Sequence, residues 1–257
     1  MEPTTNPTDD ARPGTRSLGA RLLGWLTEGV LILVGAIVIA TLLRTFVGQM
    51  FVIPSGSMEN TLQVNDRVLV AKFGGFQRGD VVVFEDPGEW LAPSVPSTNP
   101  VKIALEFVGV LPNSGTEHLI KRVIGMPGDH VRSTEEGRIE VNGSVLDETA
   151  YLYSEGGIQV APVTVPFDIV VPADRLFVMG DHRNASADSR CRLAEVSQSP
   201  GDRAFVPVSN VVGAAVAIVS PLDRLATFTL PQTFLDVPPA DGPAPEEPEL
   251  IRVEPGC

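Results

Sequence analysis

A chain of 257 residues with 43% hydrophobic content can supply an apolar anchor, tails and one packed domain. Its formal charge of −13, from 19 basic and 32 acidic residues, argues against a nucleic-acid binder, which needs a basic face. Two cysteines, Cys191 and Cys257, exclude a disulfide-dense scaffold and a cysteine-only zinc site, and leave their own pairing open. His118, His130 and His182 are isolated, without i,i+3 or i,i+4 spacing, so neither a metal nor a cofactor is expected.

Residues 1–21 begin as an aperiodic run of Pro, Thr, Asp and Arg and read as a disordered tail on the cytoplasmic side. Residues 22–47 read as a transmembrane anchor. LLGWLTEGVLILVGAIVIATLL, Leu22 to Leu43, is apolar on every face from Val30 onward, which disfavours a buried soluble helix. Spanning takes roughly 20 residues, so the run must extend through Trp25 at one end or Phe46 at the other. Arg12, Arg16 and Arg21 precede it and place the N-terminus in the cytoplasm. A cleavable leader would need a small-x-small site, and RTFVGQMFVIP after Leu43 offers none.

Beyond the anchor, short β-rich runs are punctuated by Gly, Pro and Asp. Strands are expected at Gln49–Ile53, Arg67–Lys72, Asp80–Glu85, Leu119–Ile124, His130–Arg132, Arg138–Val141, Val163–Val171, Arg175–Met179 and Val212–Val219. One short helix is expected over Val101–Val108, and Asp86–Pro100 reads as a Pro-rich surface loop. The pattern predicts a mainly β protein: an antiparallel domain over 48–222 behind a single N-terminal transmembrane helix. Residues 133–172 form an inserted β subdomain in this reading. Residues 223–257, with seven acidic residues and two arginines from Pro221 onward, have the composition of a disordered, Pro-rich acidic tail.

Chemistry concentrates in three stretches. IPSGSMENTL carries Ser55 and Ser57 in a Gly-containing turn directly after the first strand. A serine hydroxyl attacks only when a neighbouring base takes its proton. LIKRVIGMPGD embeds Lys121 among Leu119, Ile120, Val123 and Ile124. An ordinary lysine, with a pKa of about 10.4, is almost never neutral near pH 7. Burial among apolar groups can lower that value by up to about 3–5 units. Such a base would have no carboxylate partner, because an adjacent anion would hold it charged. The third stretch, MGDHRNASADSR, is a dense polar loop from Met179 to Arg190.

Together PSGSM, IKRVIGMPGD and GD-x-R-x-x-S-x-DSR resemble the signature boxes of the bacterial type I signal peptidases, membrane-anchored serine proteases with a Ser/Lys dyad. RGDVVVF, Arg78 to Phe84, resembles a framework strand of that family. The resemblance runs from about Thr45 to Pro221 and implies a signal-peptidase-like fold. It implies Ser57 as nucleophile, Lys121 as general base and Ser55 as a donor to the oxyanion hole. Ser186 matches the serine that orients the lysine amine. Arg122 matches the arginine that pairs with Asp181, Asp188 and Arg190 match a structural pair, and Met58 is the box methionine beside the nucleophile. The implied activity is endoproteolytic removal of signal peptides after small residues at −1 and −3, on the outer face of a bacterial cytoplasmic membrane. The implied partners are secretory preproteins and membrane lipid, with the secretion translocon as a further candidate. Phe51, Val52 and Met58 are expected at the bilayer surface.

Several positions depart from the family pattern. Asn60 stands for a proline, Asn65 for a glycine, and His182, Asn184 and Ala185 for Asn, Asp and Asn. Cys191 to Asp202 lengthens the segment after the third box. Two rival functions fit parts of the pattern: a self-cleaving Ser/Lys regulator, and a catalytically silent anchored binder of exported chains.

Overall fold

The computed structural model describes residues 18–46, 48–88, 90–92, 98–107, 117–197 and 199–256. The chain divides into two compact units, Met1–Leu42 and Leu43–Cys257. Helix α1, Leu18–Phe46, contains the 18-residue window Trp25–Leu42, long and apolar enough to cross a membrane, with none of it buried.

Strand β1 (Gly48–Val52) leads into the serine-bearing turn and returns as β2 (Arg67–Ala71). Then come β3 (Val81–Glu85), helix α2 (Pro100–Phe107) and β4 (His118–Gly125). A meander follows, β5 (His130–Ser133), β6 (Ile139–Val141) and β7 (Ser144–Val145), and then the hairpin β8 (Ser154–Glu155) and β9 (Ile158–Gln159). Strands β10 (Phe167–Val170) and β11 (Arg175–Met179) precede helix α3 (Ser189–Arg192). The chain continues through β12 (Val206–Pro207), β13 (Val211–Ser220), β14 (Ala226–Thr227), helix α4 (Gln232–Leu235) and β15 (Glu249–Val253).

One sheet runs β1-β2-β13-β3-β4-β11-β12, with β14 paired to β13; a second runs β15-β10-β5-β6-β7. All pairings are antiparallel. The small residues of β13 let it press against β2: a Cβ on Gly213 would stand 2.0 Å from the Ala71 carbonyl oxygen. Strand β4 lies between β3 and β11, and its residues from Ile120 to Gly125 are buried. Successive side chains point to opposite faces of a strand, so Lys121 and Arg122 are both taken from water, on opposite sides. One apolar cluster joins Ile53, Met58 and Leu62 of the serine turn to Val81, Val83 and Ile120. A larger one centres on the second sheet and collects Ile124, Phe167, Ile169, Phe177 and Phe205.

The mainly antiparallel β architecture behind an apolar helix is as expected, with differences in detail. The Val163–Val171 run pairs only over Phe167–Val170; Val163 is buried in irregular chain and donates its N–H to Gly137. The expected helix appears as Pro100–Phe107, and Val108 lies outside the described residues. In the expected surface loop, Trp90 is buried edge-on against Phe84, and its indole N–H donates to the Arg203 carbonyl at 2.9 Å.

The acidic C-terminal segment corrects its reading as disordered. Strand β15 pairs with β10, Phe234 and Val237 are buried, and Asn142 donates to the Pro238 carbonyl at 2.9 Å. Composition averages over the segment, whereas a few apolar anchors and carbonyls accepting from the core hold it. The 191–202 insertion is tied down too. Leu193 is buried, the Arg192 guanidinium stands 5.9 Å from the Trp90 ring centre, and Cys191 is disulfide-bonded. The chain's other cysteine, Cys257, lies outside the described residues.

Candidate active site

The turn after β1 carries the first serines. Ser55 is extended and exposed; Gly56–Met58 then make a single 3-10 turn that buries Ser57 and Met58. Met58 is fully buried in the apolar cluster and anchors the turn from below. Glu59 and Asn60 complete a second turn, closed by the Thr61 N–H donating to the Met58 carbonyl at 3.1 Å. Glu59 has φ −56° and ψ 151°, and Asn60 has φ 81°, the geometry of a type II turn with Asn at its third position. Asn65, with φ 74°, likewise takes the left-handed conformation that favours glycine, and Asn tolerates it better than most residues.

Lys121 approaches from β4. Its Nζ lies 2.7 Å from Ser57 Oγ and 3.1 Å from the Ile120 carbonyl oxygen. Ser55 Oγ is 3.4 Å from Ser57 Oγ on the exposed side. With Lys121 only 4% exposed, desolvation pulls its pKa from 10.5 down to about 8, against the raising influence of Asp188 and Asp181. Each of those carboxylates has its own arginine. Asp181 accepts from Arg122 Nε at 2.8 Å and Nη2 at 2.6 Å, and also from Thr61 Oγ1. Asp188 accepts from Arg190 Nε and Nη2, both at 2.9 Å, and from the Gly180 N–H at 2.9 Å. Among the described residues no ion pair joins Lys121 to a carboxylate, consistent with a base that must lose its proton.

The third box folds over this dyad. The His182 backbone N–H donates to the Ser57 carbonyl at 3.1 Å. Ser186 is buried against Gly180. Asp188 caps α3 and is held ionised: burial opposes this, but Arg190 outweighs it and lowers the carboxyl pKa. The structure therefore gathers Ser57, Lys121 and Ser55, and joins Arg122 with Asp181 and Asp188 with Arg190.

The motif reading missed a second layer. Arg183 is fully enclosed, paired with Glu148 and donating to the Gly180 and Pro162 carbonyls, both at 2.9 Å. Tyr151 donates to Glu148 at 2.7 Å, and its ring lies 4.2 Å from the Arg122 guanidinium. Arg183 was visible as the R of GD-x-R. Glu148 and Tyr151 come from the connection between β7 and β8 and carry no spacing signal. The expected bilayer residues are also corrected. Met58 is buried and Phe51 packs half-buried on His118 at 4.9 Å, leaving Val52 and its neighbour Met50 exposed.

A family model described as signal peptidase, peptidase S26, matches residues 26–220. Signal peptidase I of Mycobacterium tuberculosis is 36% identical over 242 residues, covering 84% of this chain and 78% of that protein. Signal peptidase I of Leptolyngbya laminosa is 36% identical over 213 residues, covering 81% of this chain and 87% of that one. For signal peptidase I of Pseudomonas aeruginosa the figures are 33% over 218 residues, 70% and 67%.

Proposed function

The chain belongs to the signal peptidase family, peptidase S26, and from that premise we propose how its residues cut a preprotein. It is a serine endopeptidase that removes signal peptides, and its substrates are secretory preproteins. Relatives bearing that name over most of the chain favour this reading over a self-cleaving regulator or a silent binder.

Ser57 Oγ attacks the scissile carbonyl carbon, and its proton passes to neutral Lys121 Nζ. The Ser57 N–H and the Ser55 hydroxyl receive the oxyanion; donors so placed contribute about 2.7–4 kcal/mol each to transition-state stabilisation. Lys121 hands the proton to the leaving amine, the C–N bond breaks, and an acyl-enzyme remains on Ser57. Water, losing a proton to Lys121, then attacks the ester and releases the signal peptide. Ser186 orients the lysine amine, while Asp181 and Asp188 spend their charge on Arg122 and Arg190. The single observation that carries this reading is the 2.7 Å approach of Lys121 Nζ to Ser57 Oγ within a dry niche.

The enzyme is membrane-anchored through α1, with the β domain on the extracytoplasmic face of a bacterial cytoplasmic membrane and the N-terminus inside. A disulfide at Cys191 suits an oxidising compartment. Met50 and Val52 touch lipid beside the site, and the cleaved segment lies extended beside the serine turn with small side chains at −1 and −3. The test is cleavage of a preprotein ending in Ala-x-Ala by wild type, Ser57→Ala and Lys121→Ala. Loss in both variants supports the dyad, and equal processing by all three removes it.

A further inference from the structure

His182 replaces the asparagine of the family pattern, and its surroundings give the ring a task. Its Nδ1 lies 2.8 Å from Glu59 Oε2 and 3.2 Å from the Gly56 carbonyl oxygen. Both neighbours are acceptors, so Nδ1 carries the proton and donates. The opposite face of the turn is fixed as well, because the His182 backbone N–H donates to the Ser57 carbonyl. Tyr153 stacks on the imidazole, with ring centres 3.8 Å apart and planes inclined by 26°. The Tyr153 N–H in turn donates to the Asp181 carbonyl at 3.1 Å, so the imidazole is held between the first box and the β7–β8 connection.

The Gly56 carbonyl belongs to the same planar peptide unit as the Ser57 N–H. Within a trans peptide the two point in opposite directions, so fixing the carbonyl fixes the N–H. Two donors hold that carbonyl: the Glu59 N–H at 3.0 Å and His182 Nδ1. The Glu59 side chain curls over the same glycine; a Cβ on Gly56 would stand 2.8 Å from its Oε1. An uncompensated carboxylate there would oppose a developing oxyanion, and the imidazole N–H draws it aside.

We infer that His182 is a positioning residue for the oxyanion hole, aiming the Ser57 N–H through the Gly56 carbonyl and restraining the Glu59 carboxylate. The inference rests on the Ser57/Lys121 reading, and Ser57→Ala is the control that separates the two. Donors aimed at the transition state affect kcat more than substrate binding. With the full-length enzyme in detergent and a preprotein substrate, His182→Ala is expected to lower kcat by about tenfold with KM within about twofold. His182→Asn, whose amide N–H reaches the Nδ1 position, recovers most of that loss. In the His182→Ala background, Glu59→Ala restores part of kcat by removing the unrestrained charge.

Unchanged kcat in His182→Ala overturns the inference, as does an equal loss in His182→Ala and His182→Asn. If His182→Ala does not fold, the Asn variant at near wild-type kcat and His182→Leu at much lower kcat support it, and equal rates in those two overturn it. Full activity in Ser57→Ala would instead bring down the reading beneath it.

Discussion

Gly180 approaches Ser186 so closely that a Cβ on it would stand 2.3 Å from the Ser186 Oγ, and on its other side 2.5 Å from the Ser57 carbonyl oxygen. One missing methyl group thus sets the spacing between the serine turn and the third box. Gly180→Ala must push one of them away, and the Ser57 contact is backbone, which yields poorly. A misplacement of about 1 Å in a catalytic constellation costs on the order of a hundredfold in rate. Gly180→Ala is expected to lose about that much kcat while keeping a wild-type circular-dichroism spectrum.

In the proposed mechanism Lys121 acts as the neutral amine, so kcat/KM is expected to rise with pH through about 8, the pKa to which burial lowers it. Stability follows the same group. The unfolded chain holds the proton up to 10.5 and the folded chain only to about 8. Unfolding therefore takes up a proton between those values, and this residue's contribution to stability improves as pH rises across that window. Lys121→Met removes the penalty of a buried ammonium. It is expected to be more stable than wild type below pH 8, by about 3 kcal/mol, with the gap closing above 10.5. Urea unfolding at two pH values measures it.

Asn60 occupies a backbone conformation that proline cannot reach, since its ring holds φ near −65°. Restoring the proline of the family pattern would break the type II turn two residues before Leu62, a buried anchor of the serine loop. Asn60→Pro is expected to destabilise by more than about 1 kcal/mol and to lower kcat, whereas Asn60→Gly keeps both. Thermal melts and initial rates of the two variants decide.

The Glu148–Arg183 pair is almost wholly buried, with side-chain exposures of 2% and 1%. Glu148→Ala strands an arginine charge behind the third box and takes the acceptor from Tyr151. Removing one partner of such a pair costs about 3–5 kcal/mol. Denaturant titration of Glu148→Ala and of Arg183→Met should show a loss of about that size in each.

The strands that flank the site were legible because β2, β3 and β4 are runs of branched apolar residues, and Lys121 was singled out because it interrupts one of them. The serine turn and the third box were legible as motifs. Their pairings were not: Asp181 meets Arg122 and Thr61 only because β11 lies beside β4, and no local pattern announces that neighbour. The two-residue strands β7, β8, β9, β12 and β14 are too short to show a period. Strand β15 was hidden by the prolines and acids around it and by a register shift, which turns Leu250 and Val253, three residues apart, to the core and leaves Ile251 exposed. His182 looked like a loop residue because the partners that fix it come from the first box and from Tyr153, both distant in sequence.

Strand β15 completes the outer edge of a sheet whose nearest member, β10, is made about eighty residues earlier. Until then β10 presents bare amides and carbonyls, an invitation to pair with a stranger. Synthesis that halts before Glu249 would leave that flank open, even with Ser57, Lys121 and the third box already translated.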